Sequence, residues 1–345
     1  MVIENFNGHN VQYYTALNPV PLECGRTLSN IQVAYHTWGK LNPNKNNVIW
    51  ICHALTANSD AEDWWPGMIG EGFLFDPTRD YIICANVIGS CYGTTGPLSI
   101  NPNTEKPYYR SFPEVTVRDM IAVHEQLRVY LKIDKINVLV GGSIGAHQAL
   151  EWAIINPEIF ENLVFAASGA HTTPWAIALN EAQRMAIEAD PSYFEDRPDG
   201  GDNGLRAARA MALTSYRNYT AYNKTQYEDT NDKLNDYRAS SYQRYQGDKL
   251  VKRFNAYAYY RLSQAIDSFN VGRNRNGVED ALAQIKARTL VIGISTDCLF
   301  PTCEQKYVAK NISGAIYKEI NSDFGHDGFL IEHEKLTAAI GEFLN

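Results

Sequence analysis

Short, mostly apolar runs rich in β-branched residues recur at 47–52, 81–85, 136–140, 162–165, 289–294 and 315–320. A strand with one wet face alternates apolar and polar positions, whereas a strand covered on both faces reads as a near-continuous apolar run, so these stretches predict buried parallel strands. Between two of them, 117–131 places Met120, Val123, Leu127, Tyr130 and Leu131 at spacings of three and four, and 146–155 continues in the same period. Those spacings predict amphipathic helices. Strand and helix in alternation predict an α/β architecture, a mostly parallel central sheet with helices on both faces.

The alternation stops at about residue 174 and resumes at about 287. No strand pattern is visible in between; 204–213 and 248–266 carry apolar residues at helical spacing, and 196–203 is rich in Gly, Asp and Pro and reads as loop. The expected organisation is a core made of 1–173 and 287–345, with 174–286 inserted as a helical lid. The insertion carries many tyrosines, among them Tyr216, Tyr219, Tyr222, Tyr237, Tyr242, Tyr245, Tyr257, Tyr259 and Tyr260. A side chain with an apolar body and a polar tip suits a wet cleft, a subunit interface or the lid's own core.

Composition narrows the chemistry. With 345 residues and 45% hydrophobic content, the chain has enough apolar material for one large core. A net charge of −8 argues against nucleic acid as the main partner, because phosphate binding needs a positive field. The first residues, Met1-Val2-Ile3-Glu4-Asn5-Phe6-Asn7, lack the basic-then-apolar order of a signal peptide, and no apolar run approaches the thickness of a bilayer, so no membrane is expected and a cytoplasmic location is. The six cysteines, Cys24, Cys52, Cys84, Cys91, Cys298 and Cys303, form no C-x-x-C pair, which reads as reduced thiols and predicts neither a disulfide framework nor a metal site.

Gly141-Gly142-Ser143-Ile144-Gly145 follows the apolar run 136–140 and precedes the helical stretch at 146. This is the strand-turn-helix context in which a G-x-S-x-G sequence lifts a serine hydroxyl out of a strained turn as a nucleophile, with small residues two positions to either side. A serine hydroxyl needs a base, and the base an orienting acid. In the α/β-hydrolase fold these follow the nucleophile in the order acid, then His, on loops past late strands. Asp297 lies just past the strand expected at 289–294, and His326 just past that at 315–320. Of the eight histidines, only His326 follows the last strand with glycines close on both sides. Asp323 and Asp327 are the rival acids. The backbone N–H groups of Ile144, after the nucleophile, and of Leu55, in the loop after 47–52, are the expected oxyanion donors.

Several further stretches resemble the homoserine O-acetyltransferases, an acyl-CoA-dependent branch of the α/β-hydrolase fold. They are His53-Ala54-Leu55-Thr56 with Trp64-Trp65, Cys84 to Gly89, Cys91 to Pro97, Phe112 to Met120, Gln148 to Ala153, Tyr245-Gln246-Gly247-Asp248-Lys249, Asp297 to Pro301 and Gly325 to Leu330. The resemblance implies a ping-pong reaction in which Ser143 takes an acetyl group from acetyl-CoA, the co-substrate, and the hydroxyl of L-homoserine removes it, a step of methionine biosynthesis. It also implies substrate-binding roles for Arg209, Tyr216 and Asp327, no permanently bound cofactor, and a homodimer through the lid. A guanidinium and a carboxylate suit the carboxylate and ammonium of an amino acid. Departures from the family's usual pattern are Ser143-Ile144-Gly145-Ala146-His147, where Ser-Met-Gly-Gly-Met is usual, and Asp267-Ser268-Phe269-Asn270, where Asp-Thr-His-Asp is common. A succinyl donor, a serine acceptor, and a serine esterase using the same three residues with water are the alternatives.

Overall fold

Five residues in a row, Val48 to Cys52, are buried, as a strand covered on both faces requires. The computed structural model describes residues 5–6, 9–16 and 18–345. Eight strands form its main sheet: β1 (Gln12–Thr15), β2 (Gln32–Trp38), β3 (Val48–Cys52), β4 (Tyr81–Ala85), β5 (Ile136–Gly142), β6 (Phe160–Ala166), β7 (Arg288–Ile294) and β8 (Ile316–Ile320). Their spatial order is β1-β2-β4-β3-β5-β6-β7-β8. The six strands from β3 to β8 pair in parallel, whereas β2 pairs antiparallel with both β4 and β1. The six expected strands are all present, and the architecture is that of an α/β-hydrolase.

The two antiparallel strands have no counterpart in the sequence reading. In β1 only Tyr14 is buried out of Gln12-Tyr13-Tyr14-Thr15, so it presents neither an apolar run nor a sustained alternation. In β2 the polar His36 and Thr37 interrupt the apolar residues, although His36 is itself buried and hydrogen-bonded to Ser59 Oγ at 2.8 Å.

Successive residues of the central strands feed two different cores. Trp50, Leu139, Leu163 and Val291 pack on the side of α1 (Val117–Tyr130) and α2 (Ile144–Ile155), while Ile49, Val138, Val164 and Leu290 pack with Leu336, Ile340 and Phe343 of the C-terminal helix. Thr116 starts α1 with a capping box: its Oγ1 accepts from Asp119 N–H, and the Asp119 carboxylate accepts from Thr116 N–H.

From residue 174 to 287 the chain runs through helices and loops: α3 (Pro174–Glu188), α4 (Asp202–Tyr216), α5 (Tyr219–Gln226), α6 (Arg238–Val251), α7 (Ala256–Asp267) and α8 (Val278–Leu282). The apolar spacing over 248–266 belongs to two helices rather than one. The helical pattern breaks at 252–255, where Asn255 accepts from Ala258 N–H at 2.8 Å and caps a fresh helix. The tyrosines divide. Tyr257 and Tyr259 are fully buried, whereas Tyr219, Tyr227 and Tyr245 are exposed. After β7 come α9 (Thr302–Asn311), the short helical turn Gly328–Ile331 and α10 (His333–Leu344). Among the described residues no helix is long and apolar enough to cross a membrane.

Candidate active site

Ser143 sits between the end of β5 and the start of α2 with φ 59° and ψ −128°, a conformation an L-residue adopts only under constraint. The constraint is packing. A Cβ on Gly141 would stand 2.2 Å from the Gly145 carbonyl oxygen, and one on Gly145 would stand 2.1 Å from the carbonyl oxygen of Cys52, at the end of β3. The helix therefore presses backbone to backbone against two strands, and the serine at its head has one place to go. Ser143 N–H donates to Ala166 O at 3.1 Å, which ties the turn to β6 as well.

His326 and Asp297 come to this point from loops past β8 and β7. His326 Nε2 is 2.9 Å from Ser143 Oγ, and His326 Nδ1 is 2.6 Å from Asp297 Oδ2. The other carboxylate oxygen, Oδ1, accepts from the N–H groups of Leu299 and Phe300, both at 2.9 Å. With both its oxygens bound, the carboxylate cannot rotate, and it favours the imidazole tautomer protonated at Nδ1. That tautomer leaves Nε2 free to accept the serine proton. All three side chains are buried, and the rings of Tyr216, Phe300 and Phe329 surround the imidazole at 5.3–5.8 Å between centroids. Burial acts to lower the pKa of His326, but the charges of Asp297 and Asp327 and the Asp297 hydrogen bond outweigh it and hold the group above its ordinary 6.5.

The rival acids are engaged elsewhere. Asp323 pairs with Lys224 of α5, and Asp327 Oδ2 is 2.7 Å from Arg217 Nε. The rings of the buried His53 and His147 have other neighbours. His53 Nε2 accepts from Val87 N–H at 3.2 Å, and burial pushes its pKa down to about 4. His147 stacks on Phe269 with centroids 3.9 Å apart and is pushed down to about 3, first by burial.

Ile144 is the first residue of α2, so its N–H has no acceptor within the helix. Leu55 lies in the turn closed by Ala57 N–H donating to Ala54 O at 3.1 Å, and it lines the same cleft as Ser143. Gln148 of α2 donates to His53 O at 3.2 Å, binding that loop to the helix that carries the serine.

Ser143 and His326 line a cleft of about 650 Å³ together with Arg209, Tyr216 and Asp327. The Arg209 guanidinium lies 5.6 Å from the centre of the Tyr216 ring, both on α4. Burial raises the Asp327 carboxyl, against the pull of Arg217, Arg209 and His326. Lys249, named above only within the stretch 245–249 and given no role there, also lines the cleft, as do Arg217 and Arg253, which sequence reasoning missed. Arg217 directly follows Tyr216, but nothing in its spacing told it from an ordinary surface arginine. Four cations thus face a cleft of a net-acidic protein, a suitable lining for an anionic ligand.

A sequence profile described as alpha/beta hydrolase fold matches residues 47–332. A homoserine O-acetyltransferase of Cyclobacterium marinum is 47% identical over 322 residues, covering 93% of this chain and 92% of that protein. Among solved structures, the homoserine O-acetyltransferase of Staphylococcus aureus superposes with a TM-score of 0.81 at 27% identity, over 98% of this chain and 95% of that one. Esterase E22 superposes with a TM-score of 0.88 at 25% identity, over 97% of this chain and 100% of that one.

Proposed function

Since the chain belongs to the homoserine O-acetyltransferase family of the alpha/beta hydrolase fold, we propose that it moves an acetyl group from acetyl-CoA to the side-chain hydroxyl of L-homoserine by way of an acetyl-Ser143 intermediate. The observation that carries this reading is the unbroken contact from Asp297 through His326 to Ser143 in a cleft lined by Arg209 of the inserted helices and by Asp327 beside the imidazole. In the first half-reaction Ser143 Oγ attacks the thioester carbonyl while its proton passes to His326 Nε2. The C–S bond then breaks, and the imidazolium returns that proton to the departing thiol. In the second half the homoserine hydroxyl attacks the acetyl-serine, giving its proton to His326, which hands it to Ser143 Oγ as the new ester leaves. Both halves pass through an oxyanion, received in this proposal by the N–H groups of Leu55 and Ile144.

Mixing the enzyme with acetyl-CoA, with and without homoserine, and following free thiol tests the reading. Sustained release that requires homoserine is expected. The likeness to esterase E22 favours one other reading, hydrolysis with water as acceptor, and sustained thiol release indifferent to homoserine would establish it in place of transfer. Succinyl-CoA and serine, offered in the same assay, are expected to be the poorer donor and acceptor.

Two predictions concern this cleft. Arg209→Ala is expected to raise the KM for homoserine by about 10- to 100-fold, the worth of a charge-assisted bidentate contact, while acetylation by acetyl-CoA alone stays within about twofold. Equal losses in the two half-reactions would contradict an acceptor role. Acetylation is also expected to fall on the acid side: below its pKa His326 is protonated and cannot take the serine proton, so the acid limb is expected to fall above pH 6.5. A single-turnover pH profile measures it.

The lid also leaves large apolar side chains in water, Tyr219 at 84% and Leu234 at 91% exposure among them. They support a homodimer formed through the lid, which sedimentation equilibrium would detect as twice the chain mass.

A further inference from the structure

An oxyanion donor lowers a barrier only if its direction is fixed before the charge develops, and losing one donor costs about 10²- to 10³-fold in rate. Ile144 N–H is fixed by the helix it begins. Leu55 N–H belongs to a loop, so something must hold that loop. On the inner side, Gly145 packs against Cys52 O and Gln148 donates to His53 O. Those two contacts reach the loop's first residues; within the turn, the Ala54 carbonyl, in the same peptide as the Leu55 N–H, also faces His53 Nδ1 at 2.9 Å, which leaves the Thr56 end to be held.

On the outer side the turn is held from the lid. Arg253, at the junction between α6 and α7, donates from Nη1 to Thr56 O at 2.5 Å and to Tyr92 Oη at 2.6 Å. Thr56 follows Leu55 as the second central residue of the turn closed by Ala57 N–H and Ala54 O, so fixing its carbonyl limits rotation of the whole turn. Tyr92 is a firm second anchor. It is buried, its ring packs on Phe254 with centroids 5.7 Å apart, and its carbonyl accepts from Asn86 Nδ2 at 2.6 Å. The guanidinium therefore joins the lid, the oxyanion turn and the loop after β4 in one place. A planar fork suits that task; an ammonium on a flexible stem holds the same acceptors with less definition.

We propose that Arg253 is a positioning residue for acyl transfer: by holding the Thr56 carbonyl from the lid it directs the Leu55 N–H at the acyl oxygen. The lid then contributes to the chemical step and not only to substrate binding. This rests on the reading of Leu55 as an oxyanion donor and Ser143 as the acylated residue.

The test separates positioning from a direct role in binding CoA phosphates, which an arginine in this cleft would also serve. Acetylation of the full-length enzyme is measured in single turnover with two donors, acetyl-CoA and p-nitrophenyl acetate, the latter carrying no phosphate. Arg253→Met is expected to slow acetylation by about 10- to 100-fold with both donors, leaving the KM for the nitrophenyl ester within about twofold. Arg253→Lys is expected to restore part of the rate. Tyr92→Phe is expected to give a smaller loss that does not add to that of Arg253→Met. Loss with acetyl-CoA alone, through KM, would make Arg253 a phosphate contact and overturn the proposal, as would unchanged rates with both donors. Thermal melting accompanies each variant, and if Arg253→Met does not fold, Arg253→Lys and Tyr92→Phe decide the question by the same two-donor comparison. Wild-type enzyme that takes no acetyl group onto Ser143 from either donor would sink the underlying reading as well, whereas wild-type acetylation matched by every variant would sink only the role of Arg253.

Discussion

Ser143→Ala is expected to lower turnover by about four to six orders of magnitude, with no acetyl-enzyme detectable by intact mass after exposure to acetyl-CoA. The imidazole and the proposed oxyanion donors would remain, but the bond that forms in the proposed first half-reaction would have no oxygen to form it. The fold should tolerate the change. The serine hydroxyl contacts His326, and the turn itself is held by the Gly141 and Gly145 backbone contacts and by Ser143 N–H to Ala166 O, none of which uses the side chain. Alanine inherits the strained φ of 59°, so its melting temperature should stay close to wild type. Ser143→Gly, which relieves that strain, is expected to be equally inactive and about 1 kcal/mol more stable. Retained turnover in either variant would remove Ser143 from the mechanism.

Much of this site is legible in the chain because its constraints are local. Gly141 and Gly145 can be only glycine where a Cβ would meet a carbonyl oxygen at about 2 Å, so the motif records the packing that strains the serine. Asp297 and His326 are legible for a different reason: each follows an apolar run, and in a parallel sheet the loops past such runs converge on one edge. Where a position depends on a partner distant in sequence, the chain is silent. Strand β1 becomes a strand by pairing with β2, whose own polar His36 is reconciled to burial by Ser59. The same holds for the cations of the cleft. Arg217 gains its place from Asp327, and Arg253 from Thr56 and Tyr92, more than a hundred residues away in each case. Glu151 of α2 is buried and held by both Arg118 and Arg275, distant in sequence, which fixes the helix that begins at the serine against α1 and the loop after α7.

The second large effect is expected from Asp297→Asn, a drop in turnover of about 10⁴-fold at neutral pH with little change in the KM for either substrate. The argument runs through the proton. Asp297 accepts two backbone N–H bonds at Oδ1 and faces His326 Nδ1 with Oδ2, so an asparagine in the same frame keeps its carbonyl oxygen on the Leu299 and Phe300 N–H groups and turns its NH₂ toward the imidazole. Nδ1 must then accept. The imidazole proton moves to Nε2, where it faces Ser143 Oγ, and the base is blocked at the atom that has to receive the serine proton. A second consequence separates this cause from simple loss of structure. The charge and hydrogen bond of Asp297 are the leading influences that hold His326 above 6.5 against its burial, so removing them should lower its pKa. The acid limb of the residual acetylation rate is therefore expected to move to lower pH in Asp297→Asn, with the melting temperature little changed. An unmoved limb, or a loss confined to KM, would mean that the carboxylate neither orients nor charges the base.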